Sequence, residues 1–359
     1  MLASILRLGS FSASAYLKYL TWLFLRKLPL GYRFLPTIKA VFAVFFTSFL
    51  LQPRLKSKHR ITSILLGVAT SSSLINLFIV ALNLGCLICC LDFVHRGHVF
   101  HPVGHLSFAR VGYVDSSSAQ IVIGHSGMLA PEGFNFTYTD TSTNDTIELA
   151  NLHIIPENAS STTIALDSLL PSSKYTYQTS LGHAGRFSTS EKSPEVVRFI
   201  STSCMKPFYP YSPFKHALSI EGFHHLSSYL MREGTPVQEF IFFLGDFIYS
   251  DLPTAPSSYT QDYFTTLYRQ IYASPDYTQI LRDTPWLHIF DDHEIINDYH
   301  PSMSLQDDAS PQKLYGSAIH PFMHYQHLAN PTAYSPNVFY YTFSRGPASF
   351  FVLDTRTYR

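Results

Sequence analysis

The distribution of hydrophobic and polar positions divides the chain into three regions. Long apolar blocks fill residues 1–95, apolar and polar residues alternate over 99–190, and short continuous apolar runs recur from 194 onward. Long apolar blocks are typical of membrane helices, alternation of half-buried strands, and short apolar runs of strands buried on both faces. The pattern therefore predicts a membrane region, an all-β sandwich over 99–190 and an α/β domain over 194–359.

Within the first region, residues 74–94 are the strongest candidate for a membrane span. This stretch has 21 residues, and its only charge is Asp92 near its end. A helix needs about 20 residues to cross about 30 Å of hydrocarbon. Residues 35–51 predict a second span, whereas residues 10–25 contain Lys18 and fit either a third span or an amphipathic helix lying in the interface. The number of crossings is left open.

Charge is distributed unevenly along the chain. Residues 1–91 hold ten Lys and Arg and no acid, whereas all 25 acids lie from Asp92 onward. A phosphate backbone would be repelled by the acidic remainder, so no nucleic-acid partner is expected. Four cations in residues 54–60 predict a cytosolic loop by the positive-inside rule. Everything after Asp92 is then expected in the lumen or outside the cell. If both earlier blocks span the membrane, Arg26, Lys27 and Arg33 lie on the less favourable side.

Glycosylation sequons and cysteines fit this orientation. Three sequons begin at Asn135, Asn144 and Asn158, all within the predicted exterior part. Three cysteines lie inside the main apolar block, where we expect them to face lipid: Cys86, Cys89 and Cys90. Cys204 is then the only thiol of the exterior part, so no disulfide is expected there.

The alternating region predicts a Greek-key sandwich that spaces the α/β domain from the bilayer. Strands are expected at residues 119–124, 134–139 and 161–166. Tyr175 or Tyr177 enters a strand after a turn, which resembles the tyrosine corner of such sandwiches. Four histidines precede it on a stretch expected to be irregular, and solvated side chains are favoured over a metal site: His95, His98, His101 and His105.

The α/β region places polar residues directly after apolar runs. Runs at 196–201, 240–244, 286–290 and 349–353 are predicted strands, with a helix over 218–232. Ligands gather at the carboxyl ends of strands in open α/β sheets. We therefore expect one rim that carries the residues following these runs: Cys204, Asp246, Asp291, Asp292, His293, Glu294, Asp354 and Arg356.

These residue types suit a site with two cations. Asp246 follows a glycine and offers two oxygens that could bridge two ions, while the thiolate of Cys204 would bind a softer or more oxidised ion such as iron. Asp292 could serve the second ion. A pair of cations clamps a phosphoryl group and lowers the pKa of a bound water or hydroxide that attacks in line.

Other side chains have further expected roles. His293 is placed to donate a proton to the leaving oxygen, Tyr249 could ligate iron as a phenolate, and Arg356 could pair with phosphate. Asp354 and Arg356 could equally form a salt bridge. Asn297 is a ligand or a loop cap with equal weight, and Asp291 is expected to be structural. On residues 320–327, Pro321 is expected to interrupt a helical face of three surface histidines.

Four ordered motifs carry a resemblance to a known family. Ser203-Cys204, Gly245-Asp-Phe-Ile-Tyr249, Asp291-Asp-His-Glu294 with Asn297, and Leu353-Asp-Thr-Arg-Thr-Tyr-Arg359 stand in this order. They resemble the SC, GDxIY, DDHE and LDxRxYR motifs of PhoD-like alkaline phosphatases. The resemblance covers residues 100–359, since that family also has a β-sandwich before its catalytic domain. The multi-span N-terminus is similar to membrane-anchored relatives from fungi.

The resemblance implies a metallophosphatase αββα domain that hydrolyses phosphomonoesters or phosphodiesters. It implies iron held by Cys204, and calcium, as cofactors, with a phosphate ester as substrate. The family's later GDxH-type motif is absent before Arg359, so the chain is expected to be a fragment or a truncated product whose αββα domain is incomplete. The alternative reading is an inactive, glycosylated membrane protein whose exterior part only binds a partner.

Overall fold

The computed structural model describes residues 1–54, 60–125, 133–154, 161–303, 310–336 and 338–358. The chain divides into two compact units. The first comprises residues 1–101, 208–217 and 252–255, and the second comprises 102–207, 218–251 and 256–359. The second unit contains most of both regions predicted beyond residue 99, and the boundary between those regions remains a prediction.

The first unit is built from four helices. They are α1 (Leu2–Arg26), α2 (Gly31–Leu51), α3 (Arg60–Leu66) and α4 (Ser73–Phe100). By length and composition, α2 and α4 are apolar enough to cross a membrane, and only 22% and 17% of their most apolar windows are buried. A core helix of a soluble protein would bury most of such a window. The two stronger blocks of the sequence therefore form helices whose apolar surface is largely uncovered.

Two expectations about α4 are corrected. Cys90 is fully buried, with its Sγ 3.7 Å from Oγ1 of Thr21, so it does not face outward as predicted. The hydroxyl of Thr21 gives the thiol a polar partner inside the bundle, which sequence periodicity alone does not reveal. His95 and His98 lie on the last turns of α4, not on an irregular stretch. The helix continues through Gly97 to Phe100 and ends before Pro102, because a proline disfavours helical geometry in the residue that precedes it.

The second unit begins with two antiparallel sheets that share one core. One sheet has the order β1 (Phe108–Val114), β2 (Ala119–Gly124), β5 (Ser161–Leu166). The other has the order β4 (Thr146–Leu152), β3 (Phe134–Asp140), β6 (Lys174–Thr179), β7 (Ala184–Ser188). Side chains of both sheets fill a single apolar cluster. The sandwich and the three strands expected at these positions are therefore present.

A tyrosine corner closes this sandwich. The hydroxyl of Tyr175 accepts a hydrogen bond of 2.8 Å from the backbone N–H of Leu170. The hydroxyl of Tyr177 is buried with no hydrogen-bond partner among the described residues. Of the two tyrosines considered, Tyr175 therefore makes the corner, and Tyr177 contributes only its ring to the core.

The α/β part has a three-stranded parallel sheet with β9 at its centre. The order is β10 (Trp286–Ile289), β9 (Phe240–Leu244), β8 (Phe199–Thr202), and both neighbouring pairs are parallel. The helices α5 (Glu221–Leu230), α6 (Gln261–Tyr272) and α7 (Gln279–Asp283) connect these strands. Strands β9 and β10 are buried as expected, but β8 alternates between exposed and half-buried residues. Both β8 and β10 are edge strands, but Asn330 and Tyr341 hydrogen-bond to the backbone of His288 and cover β10. β8 is left partly exposed, so burial on both of its faces was wrongly predicted.

The last apolar run lies outside the parallel sheet. β11 (Tyr341–Arg345) and β12 (Ala348–Val352) form an antiparallel hairpin, so the strand predicted at 349–353 is present but pairs outside the parallel sheet. A tight turn at Gly346, with φ of 52°, lets β12 fold back on β11. Before them, α8 (Pro311–Tyr325) continues through Pro321, and His320 and His324 are half-buried. The interruption and the surface histidines expected there are also corrected.

The asparagines of the sequons differ in their exposure to solvent. Asn144 is exposed in the turn before β4, with φ of 61°. Asn135 is half-buried on β3, and its Nδ2 donates to Glu148 at 2.7 Å. Asn158 lies outside the described residues. Asn144 therefore has the geometry most open to modification, because an acceptor must be accessible at the surface.

The tyrosine corner gives a paired test of the sandwich. We expect Tyr175→Phe to lower the free energy of unfolding of the full chain in detergent by about 1 kcal/mol, because it removes one partly buried hydrogen bond. Tyr177→Phe is the matched control and is expected to change it by less than about 0.5 kcal/mol, since that hydroxyl has no partner to lose. Urea unfolding followed by tyrosine fluorescence measures both. Equal losses in the two variants would contradict the corner.

Candidate metal centre

The polar rim is formed where parallel strands end side by side. Cys204 lies two residues after β8, and Asp246 lies two residues after β9. Both have positive φ, 61° and 57°, a backbone conformation that non-glycine residues adopt infrequently. Gly245 has φ of 91°, and a Cβ there would lie 2.4 Å from Cβ of Asp291. Glycine thus allows the loop after β9 to touch the loop after β10.

Thiol, carboxylate and phenol converge at this point. Cys204 Sγ lies 3.3 Å from Oδ2 of Asp246, and Tyr249 Oη lies 3.5 Å from the same oxygen. The backbone N–H of Cys204 also donates to the carbonyl of Gly245 at 3.3 Å. The three side chains that the sequence assigns to one ion are therefore neighbours.

A second set of ligand atoms lies beside the first. One ligand atom each of Asp246, Asp292 and His293 lies within 4.8 Å of the others. Oδ1 of Asp246 is buried and has no hydrogen-bond partner among the described residues. A buried, unpartnered carboxylate oxygen is costly unless a cation or a donor satisfies it. The two carboxylates of this group suit a hard cation that prefers oxygen ligands, and His293 lies beside them.

Glu294 ties the two loops together. Its carboxylate is 1% exposed and accepts backbone N–H groups of Asp246 at 3.0 Å, Phe247 at 2.5 Å and Asp291 at 2.7 Å. Hydrogen bonds to an ionised acceptor are stronger than neutral ones. Burial nevertheless raises the pKa of Glu294 to about 7, against the lowering effect of these N–H groups. One side chain thus sets the spacing between the loops after β9 and β10.

Asp251 orients His293 from the opposite side. Its Oδ1 accepts a hydrogen bond of 2.8 Å from Nδ1 of His293, and its Oδ2 accepts the backbone N–H of Asn297 at 3.2 Å. Burial lowers the pKa of His293, but the hydrogen bond and charge of Asp251, together with Asp246 and Asp292, raise it more. The bond at Nδ1 leaves Nε2 as the other functional nitrogen of the ring.

Arg356 closes the site. Its Nε donates to Oδ1 of Asp291, and its Nη2 lies 3.3 Å from Oδ1 of Asp292. Asp354 does not form the salt bridge with Arg356 that was considered from the sequence. Its Oδ1 instead accepts the backbone N–H groups of Arg356 and Thr357, because an aspartate at the start of a turn reaches the amides two and three residues on.

The local electrostatics favour a bound cation. Burial raises the pKa of Asp246; His293 and Cys204 oppose this shift, whereas the charges of Asp292 and Asp291 add to it. Burial also raises the pKa of Cys204. Without a cation, the site therefore disfavours the ionised forms of the groups that would ligate one.

Burial also disfavours the charged forms of the Tyr249 phenol and of the nearby Lys206 amine. Burial raises the pKa of Tyr249, and the charge of Asp246 raises it further. Burial lowers the pKa of Lys206 to about 7, opposed by the charge of Asp251. Nζ of Lys206 lies 5.4 Å from the centroid of the Tyr249 ring.

Sequence reasoning assigned no role to three of these residues. Glu294 was quoted only as part of a motif, although the acid after Asp-Asp-His was a visible signal. Asp251 and Lys206 gave no signal of their own, since each lies outside a quoted motif. Asn297 is exposed, and its Nδ2 donates to Asp298 at 2.6 Å, so its role as ligand or cap remains a prediction.

Comparison with known proteins gives one family match. Residues 219–359 match the family model described as PhoD-like phosphatase. No curated protein matches the chain.

Among solved structures, the chain is similar to one titled "Structure of PhoD". The TM-score is 0.54 and the identity 19%, over 72% of this chain and 53% of that one. The chain thus spans about half the length of that protein, and the likeness shows a shared fold.

Two further solved structures match 24% of this chain each. One is a computer-redesigned β-sandwich protein, with 18% identity, 96% of that chain covered and a TM-score of 0.20. The other is the sensor domain of an anti-sigma factor in Pseudobacteroides cellulosolvens, with 10% identity, 95% of that chain covered and a TM-score of 0.18.

The role of Glu294 can be tested by an isosteric change. We expect Glu294→Gln to lower the free energy of unfolding by about 1–3 kcal/mol, because one amide oxygen replaces two carboxylate oxygens and the new NH₂ group faces a backbone N–H. Calcium affinity, measured by isothermal titration, is expected to fall as well. Glu195→Gln, at an exposed position, is the control for both measurements. Unchanged stability and affinity in Glu294→Gln would exclude the tie between the loops.

Proposed function

We propose that this chain is a membrane-anchored, metal-dependent phosphohydrolase that cleaves phosphomonoesters or phosphodiesters. The observation that carries the proposal is the meeting of Asp246, Asp292 and His293, with a buried carboxylate oxygen left without a partner. The match of residues 219–359 to a phosphatase family supports it. A metallophosphatase αββα architecture and a Greek-key arrangement of the sandwich belong to the same proposal.

The residues present fit two kinds of cation. Cys204, Asp246 and Tyr249 would hold iron, since thiolate and phenolate suit a softer or more oxidised ion. Asp246, Asp292 and Asn297 would supply oxygen ligands to calcium. When bound, such cations stabilise negative charge on phosphoryl oxygens and lower the pKa of a water.

The protein's own side chains then orient the substrate and transfer a proton. Asp251 holds Nδ1 of His293, so Nε2 is free to give a proton to the leaving alkoxide oxygen. Arg356 uses Nε and Nη2 on Asp291 and Asp292, and its Nη1 is left to donate to a phosphoryl oxygen. The same two aspartates fix the guanidinium, so that little side-chain entropy is lost when a phosphate binds.

The proposal includes the location of the site. We infer that α2 and α4 anchor the chain and that the catalytic part lies in the lumen or outside the cell. The cations of residues 54–60 and the sequons at Asn135, Asn144 and Asn158 support this orientation. Glycosylation of these asparagines is part of the proposal.

Metal analysis of purified full-length protein tests the ligand assignment. We expect iron in the wild type and its loss in Cys204→Ala, with hydrolysis of bis-p-nitrophenyl phosphate and p-nitrophenyl phosphate falling at least 100-fold. Ser203→Ala is the control, because its hydroxyl contacts the thiol at 3.2 Å but is given no ligand role. Stoichiometric iron in Cys204→Ala would refute the assignment. A metal-loaded wild type without hydrolysis of either ester would favour the non-catalytic alternative.

A further inference from the structure

The arrangement of α1 against α4 bears on how often the chain crosses the bilayer. Oγ of Ser14 donates to Oδ1 of Asn83 at 2.9 Å, and Thr21 meets Cys90 at 3.7 Å. Phe24 and Phe93 pack with ring centroids 5.4 Å apart. Each of these pairs has the same offset of 69 residues. A constant offset means that the two helices run parallel and rise together, residue for residue.

The offset places α1 at the depth of the strongest span. Residues 2–26 of α1 correspond to residues 71–95 of the chain, which include the apolar stretch 74–94 of α4. α1 has 25 residues, and at about 1.5 Å per residue it is about 37 Å long. A bilayer core is about 30 Å thick. If α4 crosses the bilayer, α1 therefore crosses it too.

The contacts with α2 lead to the same result. Gly9, near the start of α1, lies against Ser48 near the end of α2, where a Cβ on the glycine would be 3.1 Å from the serine Oγ. Phe24, near the end of α1, packs on Phe34 near the start of α2, with centroids 6.2 Å apart. The two helices are antiparallel and meet at both ends, so they traverse the same thickness.

The polar residues that lower the mean hydropathy of α1 face the inside of the bundle. Its buried side carries Ser10, Ser14 and Thr21, with Lys18 half-buried beside them. Nζ of Lys18 donates to Oγ of Ser14 and to the carbonyl of Leu65, each at 2.8 Å. Its ammonium is thus hydrogen-bonded within the bundle. Polar and ionisable groups inside membranes are tolerated when they face the bundle and find such partners.

The outer side of α1 is apolar and aromatic. Its exposed large side chains are Leu2, Ile5, Leu8, Phe11, Tyr16, Tyr19 and Trp22. The last three form a ladder near the C-terminal end, with successive centroids 6.5 and 6.2 Å apart. Tyrosine and tryptophan are enriched at membrane interfaces. Lipid acyl chains are the partner that this surface fits.

We propose that α1 is a third membrane-spanning helix with its polar side turned into the bundle, so that the N-terminus and the phosphatase domain lie on opposite sides of the bilayer. The proposal rests on the membrane anchoring proposed above. It leaves Arg26, Lys27 and Arg33 on the side of the phosphatase domain. Lys27 and Arg33 lie over the rings of Trp22 and Tyr32, at 5.8 and 5.4 Å, where aromatic faces partly offset the unfavourable side.

Protease protection in oriented microsomes tests the proposal on the full chain. Epitope tags at both termini are followed after protease treatment of sealed vesicles. We expect the N-terminal tag to be removed and the C-terminal tag to survive until detergent is added. Protection of both tags would mean two spans with α1 in the interface, and would overturn the proposal. Release of the protein by alkaline carbonate would instead refute the membrane anchoring itself.

A matched pair of labels tests which side of α1 faces lipid. Ala13 is 8% exposed and Ala15 is exposed, and both are small residues of the same helix. In a variant whose four native cysteines are replaced by serine, Ala13→Cys and Ala15→Cys carry spin labels. We expect oxygen to relax the label at position 15 at least fivefold more than the label at position 13. A water-soluble nickel chelate is not expected to show this difference. Equal relaxation by the nickel chelate at 15 and at an exposed loop position would overturn the proposal.

Discussion

Repulsion between carboxylates is the constraint on which the candidate site depends. Six acids come together around the ends of β9 and β10: Asp246, Asp251, Asp291, Asp292, Glu294 and Asp298. Burial and the charges of Asp291 and Asp292 act together to raise the pKa of Asp246. Such an arrangement opposes folding unless positive charge or N–H groups compensate it. The protein supplies part of that compensation, and the proposed cations would supply the remainder.

Within the protein, particular cations and N–H groups offset the negative charge of particular acids. Arg356 neutralises Asp291 and Asp292, and His293 pairs with Asp251. Three backbone N–H groups donate to the carboxylate of Glu294, and these hydrogen bonds hold the two loops together. Among these six acids, Asp246 is the one with a buried carboxylate oxygen that has no hydrogen-bond partner in the described part of the chain. Asp246, whose charge the protein offsets least, is the residue proposed to bridge the two cations.

The elements that sequence reasoning located are those with a strong local signal. β2, β5 and β9 were placed at their observed bounds, because alternating or continuous apolar runs end at clear turn residues. Cys204, Asp246, Tyr249, Asp292 and His293 were found because each follows a strand or lies in a motif. Their mutual distances then follow from parallel pairing of β8, β9 and β10.

What sequence reasoning missed depends on tertiary contacts. Nothing local distinguishes an edge strand such as β8 from a central one, or a hairpin strand such as β12 from a parallel one. Asp251 becomes significant only because the chain after β9 returns to His293. Likewise α1 has a weak apolar signal because hydropathy sums over all faces, whereas its packing on α4 depends on one face.

Denaturant unfolding of the full chain, with and without calcium, tests the central claim most directly. The account predicts that chelator lowers the wild-type midpoint. It also predicts that Asp246→Asn in chelator unfolds at the same or a higher denaturant concentration than the wild type, because one repelling charge is gone. Calcium should raise the midpoint of the wild type and of the surface control Asp167→Asn, but not that of Asp246→Asn. A wild-type midpoint indifferent to chelator, or an Asp246→Asn variant less stable than the wild type without metal, would contradict the account.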